Sequence, residues 1–254
     1  MTKDSLASSI HEIIKDYRNQ DGIYITQEDI IDWSEQFQNE SSLILSELNK
    51  ILLETYVSRQ KAKEFISRHI YNYLKIFNTN ICTFLQETEF LDVQPALKSQ
   101  PAILLLLEEV LEEEFQESYV KYKDFPKINF IYFDDILASG STIGRDLITF
   151  FEKKDKFGKP FHQKLLDNEI KVLISLFCIH TWGFEFLKYR ILKKFDGKVV
   201  QKLQWYWNYE IQNHGKFNNQ RLNIAKPVKE NNYKINSYLE KLSATKYEDY
   251  AYRK

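Results

Sequence analysis

Two adjacent carboxylates, Asp134 and Asp135, are the residues of this sequence whose type and spacing best suit chemistry. They follow residues 129–133, a run of β-branched and aromatic side chains that is typical of a buried strand. A run of small residues, 138–142, comes next and leads into a helical pattern. Loop amides and the positive end of a helix bind phosphate, and carboxylates accept hydrogen bonds from hydroxyls. The stretch therefore predicts a site for a sugar phosphate.

The segment from Phe133 to Thr142 resembles the phosphoribosyl-diphosphate (PRPP) motif of the type I phosphoribosyltransferases. That motif is an apolar strand, two acidic residues, two or three apolar or small residues, and then Thr/Ser-Gly-x-Ser/Thr. The resemblance implies that Asp134 and Asp135 are the catalytic acids, that they contact the ribose hydroxyls, and that they hold any Mg²⁺ indirectly. It also implies that five residues wrap the 5′-phosphate: Ala138, Ser139, Gly140, Ser141 and Thr142. An ordinary strand-to-helix turn with incidental acids is the alternative, although carboxylates on the buried side of a strand end are costly without partners.

The wider pattern predicts an α/β fold, namely a Rossmann-like parallel sheet of phosphoribosyltransferase type with an N-terminal helical module. The predicted strands are 81–85, 128–133, 171–179 and 198–205, and the predicted helices between them are 101–117, 143–154 and 183–195. The first two strands and their helix form a βαβ unit, which we expect to be parallel and right-handed. We predict domain boundaries at 1–79 for the helical module, 80–210 for the α/β core and 211–254 for a C-terminal extension.

The N-terminal module is predicted from apolar residues at helical spacing. Its helices are expected at 5–18, after a cap at Thr26, after a cap at Ser41 or Ser42, and at 58–77. A helix-turn-helix DNA reader is the alternative, but residues 1–68 carry 8 Lys/Arg against 12 Asp/Glu, which disfavours contact with nucleic acid. We expect the module to pack on the core or to bind a partner protein, and an oligomer is compatible with either arrangement.

Charge is unevenly distributed along the 254 residues, although the net charge is only −1. Residues 152–254 carry 21 Lys/Arg against 11 Asp/Glu, which makes the C-terminal part a candidate surface for nucleic acid. A solvated lysine-rich surface is the alternative. The longest apolar run, 102–107, is far shorter than the roughly 20 residues of a membrane span. Because Cys82 and Cys178 have apolar neighbours and no metal-ligand spacing, we expect buried thiols in a cytoplasmic protein.

Four further residues are accessory candidates for the site: Lys98, Arg145, His180 and Trp182. His180 could transfer a proton or contact a base, and Trp182 could stack a nucleobase, whereas a structural role is the alternative for both. Arg145 could reach a phosphate unless Asp146 neutralises it. The aromatic run 205–209 is either a stacking platform or a strand edge packed against the N-terminal helices.

The part of the site that would bind pyrophosphate is not recognisable in the sequence. The resemblance implies a loop with glycine or another small residue after an earlier strand, yet no glycine lies between Gly22 and Gly140. Within 87–100, only Lys98, Ser99 and Gln100 suit an anion. Close approach of a backbone to a diphosphate is difficult without glycine.

The resemblance therefore suggests three functions. The first is a phosphoribosyltransferase-like protein that binds PRPP, a nucleotide or another ribose 5-phosphate group, with Mg²⁺ if it is active. It would resemble the divergent domains of bacterial antiphage defence, including effectors linked to retrons. The second is an inert nucleotide-sensing or protein-interaction module. The third, a pyrimidine-type phosphoribosyltransferase, agrees with Ala138 but lacks the glycine loop.

Overall fold

The computed structural model describes residues 2–19, 22–96 and 98–211. The predicted C-terminal extension, apart from its first residue, lies outside the described residues, and so do all of its lysines. The helices of the described part are α1 (Lys3–Ile14), α2 (Gln27–Glu35), α3 (Ser41–Thr55), α4 (Arg59–Phe77), α5 (Ile81–Glu87), α6 (Ser99–Phe115), α7 (Ser141–Glu152), α8 (Phe161–Leu166), α9 (Thr181–Lys194) and α10 (Gly197–Lys202). None of these helices combines the length and the apolar character needed to cross a membrane.

The sheet has four parallel strands in the order in which they occur in the sequence. They are β1 (Thr88–Phe90), β2 (Asn129–Leu137), β3 (Lys171–His180) and β4 (Gln204–Ile211). This architecture confirms the α/β fold of phosphoribosyltransferase type. Since all four strands are parallel, their carboxyl ends meet at one edge of the sheet, which we call the carboxyl edge.

Alternating side chains of β2 belong to two different cores. Phe130 and Tyr132 pack with α7 to α10 on one face, whereas Ile131 and Phe133 pack with α4 to α6 on the other. Both faces are therefore covered, which agrees with the nearly continuous apolar sequence of β2 and β3.

The helices that follow β1 and β2 leave the sheet on opposite sides. α6 covers one face and α7 the other, although both connections step in the same direction across the sheet. The crossovers through α6 and α7 therefore have opposite hands, and the right hand expected for the first unit stays a prediction. Neighbouring strands whose helices diverge leave a crevice between their carboxyl ends, where open α/β sheets bind ligands.

The predicted strand at 81–85 is wrong, and the predicted strand at 198–205 is wrong over most of its length. Residues 81–85 form α5, because the side chain of Asn80 accepts the Thr83 amide at 3.0 Å and caps a helix there. A short apolar run fits either a strand or a buried helix, and here the cap decides. The first strand is β1, inside the stretch that was expected to be a loop. Most of 198–205 forms α10, whose cap Asp196 accepts from Lys198 N at 2.8 Å.

The N-terminal helices α1 to α3 have a small core of their own, made of Leu6, Ala7, Ile10, Ile30 and Leu45. Thr26 caps α2, as predicted, whereas α3 begins without a side-chain cap from either serine. Ser58 caps α4. α4 packs on the sheet, where its Phe65 ring stacks on Phe177 of β3 at 4.0 Å. The domain boundary at residue 79 stays a prediction. α4 lies before that boundary, yet it covers one face of the sheet.

Candidate functional site

The loop of residues 138–142, which we call the phosphate loop, joins β2 to α7 at the carboxyl edge. Gly140 caps α7 in a left-handed conformation, with a φ of 73°. Ser139 and Ser141 are exposed. The first amides of a helix have no partner within the helix, and they carry the positive end of its dipole. The Ser141 amide donates to Ser139 Oγ at 3.3 Å, and the exposed hydroxyls at this helix start suit a phosphate.

Two glycines allow the phosphate loop to lie directly on the start of α9. A Cβ atom on Gly183 would stand 1.9 Å from the carbonyl oxygen of Ala138, and one on Gly140 would stand 2.3 Å from the carbonyl oxygen of Gly183. Real Cβ atoms do not approach backbone so closely, so any side chain at Gly183 must displace the loop. The sequence motif indicated Gly140 but gave no sign of Gly183.

Asp134 is buried, with 3% of its surface exposed, and both of its carboxylate oxygens are engaged. Oδ1 accepts hydrogen bonds from Ser99 Oγ at 2.7 Å and from the Asp135 amide at 2.9 Å. Oδ2 accepts from Gln94 Nε2 at 2.7 Å and lies 3.1 Å from the Tyr132 hydroxyl. These bonds offset the cost of burying the charge and leave little capacity for a ligand.

Asp135, in contrast, is exposed and keeps one oxygen open. Its Oδ1 accepts from Ser99 Oγ at 3.0 Å and from the Ile136 amide at 2.6 Å, while Oδ2 has no hydrogen bond within the described part of the chain. Desolvation, and then the neighbouring Asp134 carboxylate, raise the pKa of Asp135. Of the two predicted ribose contacts, Asp135 is the one that the structure leaves available.

Arg145 turns away from the phosphate loop toward its neighbour in sequence. Its Nε and Nη2 atoms donate to Asp146 Oδ1 at 3.1 and 3.0 Å. The other oxygen of the buried Asp146 lies 3.1 Å from the Tyr132 hydroxyl. Burial, and then the nearby carboxylates, raise the pKa of Tyr132. Arg145 would have to leave Asp146 to reach a phosphate, which is the alternative considered from the sequence.

The segment after β1, residues 91–98, occupies the place where the resemblance puts the pyrophosphate loop. We call it the β1 loop. The fully buried side chain of Gln100 accepts from the amides of Val93 and Gln94 at 2.9 and 3.1 Å. Its Nε2 atom donates to the carbonyl oxygen of Phe133 at 3.2 Å. Two amides that could bind a diphosphate are therefore already used inside the protein.

A known protein family matches most of the chain. The family model PRTase-CE matches residues 30–252. The chain belongs to this phosphoribosyltransferase-type family. The matched range contains the whole sheet, the phosphate loop and the β1 loop. Neither the curated proteins nor the solved structures give a significant match.

Magnesium is the cofactor that the resemblance implies for this PRTase-CE chain. Mg²⁺ takes oxygen ligands, usually one or two carboxylates together with waters and substrate phosphates. Asp134 has both oxygens engaged and Asp135 offers only Oδ2, so the pair does not fit an ion held by both acids. The described residues contain no group of three acidic, histidine or cysteine side chains that could hold a metal. A role for magnesium stays a prediction.

The other accessory candidates lie around the carboxyl edge without converging on one point. Lys98 is exposed at the N-cap of α6. His180 is the last residue of β3 and the N-cap of α9. Trp182, in the first turn of α9, is 54% exposed and does not close the core. Sequence reasoning missed Arg190, whose Nη1 donates to the Ser141 carbonyl oxygen at 3.0 Å across 49 residues of chain.

The aromatic run 205–209 forms part of β4, at the edge of the sheet, as one of the two interpretations predicted. Trp205 packs edge-on against Phe184 of α9, with ring centroids 4.9 Å apart. Tyr206 points to the opposite face and meets Tyr73 of α4 at 5.6 Å. These packed rings are part of the structural core, whereas Tyr209 is 53% exposed.

Proposed function

We propose that this protein binds a ribose 5-phosphate group, as part of a nucleotide or of PRPP, without transferring it. The observation that supports binding is the pairing of an open phosphate loop with the free Oδ2 atom of Asp135, only three residues before that loop. The 5′-phosphate would accept from the loop amides, and the ribose hydroxyls would donate to Asp135. The family supports this class of ligand.

The absence of transfer is inferred from the β1 loop. Departure of pyrophosphate needs donors that stabilise the developing negative charge. Gln100 already accepts from two amides of the β1 loop, and the Ser99 hydroxyl donates to the aspartates. This favours the inert nucleotide-sensing module over a pyrimidine-type transferase. A role in antiphage defence, a cytoplasmic location, and contacts with a partner protein or nucleic acid stay predictions.

Calorimetric titration with ribose 5-phosphate, in buffer free of phosphate and sulfate, tests the proposal. Asp135→Asn should weaken binding by roughly 10- to 100-fold, because hydrogen bonds to a charged group contribute about 1.5–3 kcal/mol. Asp124→Asn is the matched control, since Asp124 is an exposed acid in the turn before β2 and away from the phosphate loop. It should bind like the wild type. No binding by the wild type, or equal binding by Asp135→Asn, would overturn the proposal.

A further inference from the structure

Helix α9 carries a row of aromatic rings on the side that faces away from the sheet. Its inner side consists of three buried residues: Gly183, Leu187 and Ile191. At about 100° per residue, four residues of the opposite side lie within about 60° of one another around the helix axis. We call this set the aromatic stripe, and its members are Trp182, Phe186, Tyr189 and Lys193.

The three rings of the aromatic stripe are about half exposed. Trp182, Phe186 and Tyr189 keep 54%, 47% and 49% of their surface accessible to solvent. Aromatic residues form helices less readily than Ala, Glu or Lys, so neither helix formation nor core packing accounts for three of them in a row. Large apolar groups that are exposed side by side are typical of an interaction site.

Two cations lie against the rings of the aromatic stripe. Lys193 Nζ is 4.9 Å from the centroid of the Tyr189 ring, and Arg190 Cζ is 5.9 Å from that of Phe186. Arg190 donates to the Ser141 carbonyl oxygen, and neither cation forms an ion pair with a described residue. The other two basic side chains of α9 are each paired with a glutamate. The stripe therefore combines exposed rings with positive charge that no described carboxylate neutralises.

Rings and positive charge together suit a single-stranded nucleic acid. Proteins that bind single strands stack the bases on aromatic side chains and track the backbone with positive charge. Successive rings of the aromatic stripe rise by about 6 and 4.5 Å along the helix, which is more than the roughly 3.4 Å per nucleotide of a stacked strand. We therefore expect one unstacked base per ring.

Other occupants of the aromatic stripe fit less well. In a two-fold contact between copies of this chain, the same helix face would meet itself. Residues 181–194 carry four basic side chains and one acidic side chain, so two such faces would repel each other. A different protein would meet a lysine within the stripe, and protein interfaces are depleted in lysine.

We propose that the aromatic stripe binds single-stranded nucleic acid, with bases stacked on Trp182, Phe186 and Tyr189 and a phosphate beside Lys193. The excess of basic residues in 152–254 favoured nucleic acid without indicating a surface, and the stripe supplies stacking groups on one helix face. The proposal does not depend on a ligand at Asp135 or in the phosphate loop.

Fluorescence anisotropy with the full chain and two labelled strands tests the proposal. One probe is a deoxythymidine strand of about 12 nucleotides, and the other is an abasic strand of the same length, which has the same charge without bases. The wild type should bind the deoxythymidine strand at least roughly tenfold more tightly. Phe186→Ala and Tyr189→Ala should each weaken that binding by roughly 5- to 100-fold and leave the abasic strand within about threefold of the wild type. Alanine at these exposed positions preserves the helix.

An exposed ring elsewhere in the chain provides the matched control. Phe157 is 82% exposed in the connection after α7, and Lys156 Nζ lies 5.1 Å from the centroid of its ring. Phe157→Ala should bind both strands like the wild type. Lys193→Ala should reduce the slope of log affinity against log salt by about 0.7, the loss of one phosphate contact, whereas Lys156→Ala should leave the slope unchanged.

Several results would overturn the proposal. They are no binding of the deoxythymidine strand, equal binding of the two strands by the wild type, and unchanged binding by Phe186→Ala and Tyr189→Ala. Self-association that Phe186→Ala abolishes, without strand binding, would show that the aromatic stripe binds a second copy instead. Tyr189→Ala should bind ribose 5-phosphate like the wild type, so this proposal and the proposed function fail separately.

Discussion

The phosphate loop and the β1 loop lie at the carboxyl ends of neighbouring strands, yet their backbone amides differ in their hydrogen-bond partners. In the phosphate loop, the Ser141 amide donates only to Ser139 Oγ of the same loop, at 3.3 Å, and the side chains of Ser139 and Ser141 are exposed. In the β1 loop, the amides of Val93 and Gln94 are bonded to Gln100, which is wholly buried. We expect the phosphate loop to bind an anion, whereas the two amides of the β1 loop already donate to Gln100, the second residue of α6.

The difference shows that a helix start at the edge of a parallel sheet is not enough to make an anion site. Both α6 and α7 begin there, and both have the positive end of a helix dipole. At α6 that positive end is met by the carboxylates of Asp134 and Asp135, which accept from Ser99 Oγ at 2.7 and 3.0 Å. We therefore expect the availability of donors, more than the helix itself, to decide which of the two loops binds phosphate.

The largest effect is expected from Gly183→Ala. The new Cβ would meet the carbonyl oxygen of Ala138, so the phosphate loop must move. Binding of ribose 5-phosphate should then weaken by at least roughly 100-fold, and overpacking should lower the free energy of unfolding by about 1–3 kcal/mol. Gly197→Ala is the control, because its Cβ would approach only the flexible end of Leu192. Calorimetry and thermal unfolding measure both effects. Normal binding by Gly183→Ala would show that the seating of the loop on α9 is unimportant.

Gln100→Leu tests whether the β1 loop is closed by this side chain. The variant leaves two buried amides and one carbonyl without their partner, so the free energy of unfolding should fall by about 2–4 kcal/mol. Gln60→Leu is the control, since Gln60 is exposed on α4 and bonds only to Glu64 on the same helix. Urea unfolding gives both values. A loss below about 0.5 kcal/mol would mean that the amides of the β1 loop do not depend on Gln100.

The two aspartates should separate into a structural and a binding residue. Asp134→Asn replaces one acceptor oxygen with a donor amide inside a network of donors, and it should lower stability by about 1–3 kcal/mol. Asp135→Asn should change stability by less than about 0.5 kcal/mol, since the residue is exposed, while weakening ligand binding. Unfolding experiments on both variants measure the contrast. The reverse order of stability losses would contradict the roles assigned here.

The smallest effect is a pH dependence that comes from Asp135. Its pKa is raised in the folded state, so the folded protein holds this proton more tightly than the unfolded chain does. The ionised form is the less favourable one, and stability should decrease as the pH rises from the unfolded pKa through the raised folded pKa. The difference between wild type and Asp135→Asn in thermal unfolding, measured from pH 3 to 7, isolates this contribution. If the stability of the wild type relative to Asp135→Asn instead increases as the pH rises, the surroundings stabilise the ionised carboxylate.

The sequence predicted the parts of the site that depend on local order. The motif strand, the phosphate loop and the absence of glycine from the β1 loop could all be read from neighbouring residues. The partners of the buried Asp134 could not be predicted, because Gln94 comes from the β1 loop and Ser99 from the start of α6, at separations of 40 and 35 residues. Gly183 and Arg190 were missed for the same reason, since each meets the phosphate loop only through the packing of α9 on α7.

The errors in secondary structure have a different physical origin. Residues 81–85 and 198–205 are short apolar segments that suit either a helix or a strand. Each was resolved by one capping side chain, Asn80 or Asp196, which satisfies the first amides of a helix. Longer segments with a clear period, such as α4, β3 and α9, were predicted to within a few residues.

A side-by-side titration of ribose 5-phosphate and PRPP, with Mg²⁺ present and pyrophosphate release monitored, tests the central claim most directly. If the phosphate loop is open and the β1 loop is closed, the diphosphate of PRPP finds no donors. The two ligands should then bind within about threefold of each other, a difference of only about 0.6 kcal/mol, and no pyrophosphate should be released. PRPP binding more than about tenfold tighter, or any enzyme-dependent release of pyrophosphate, would contradict the account.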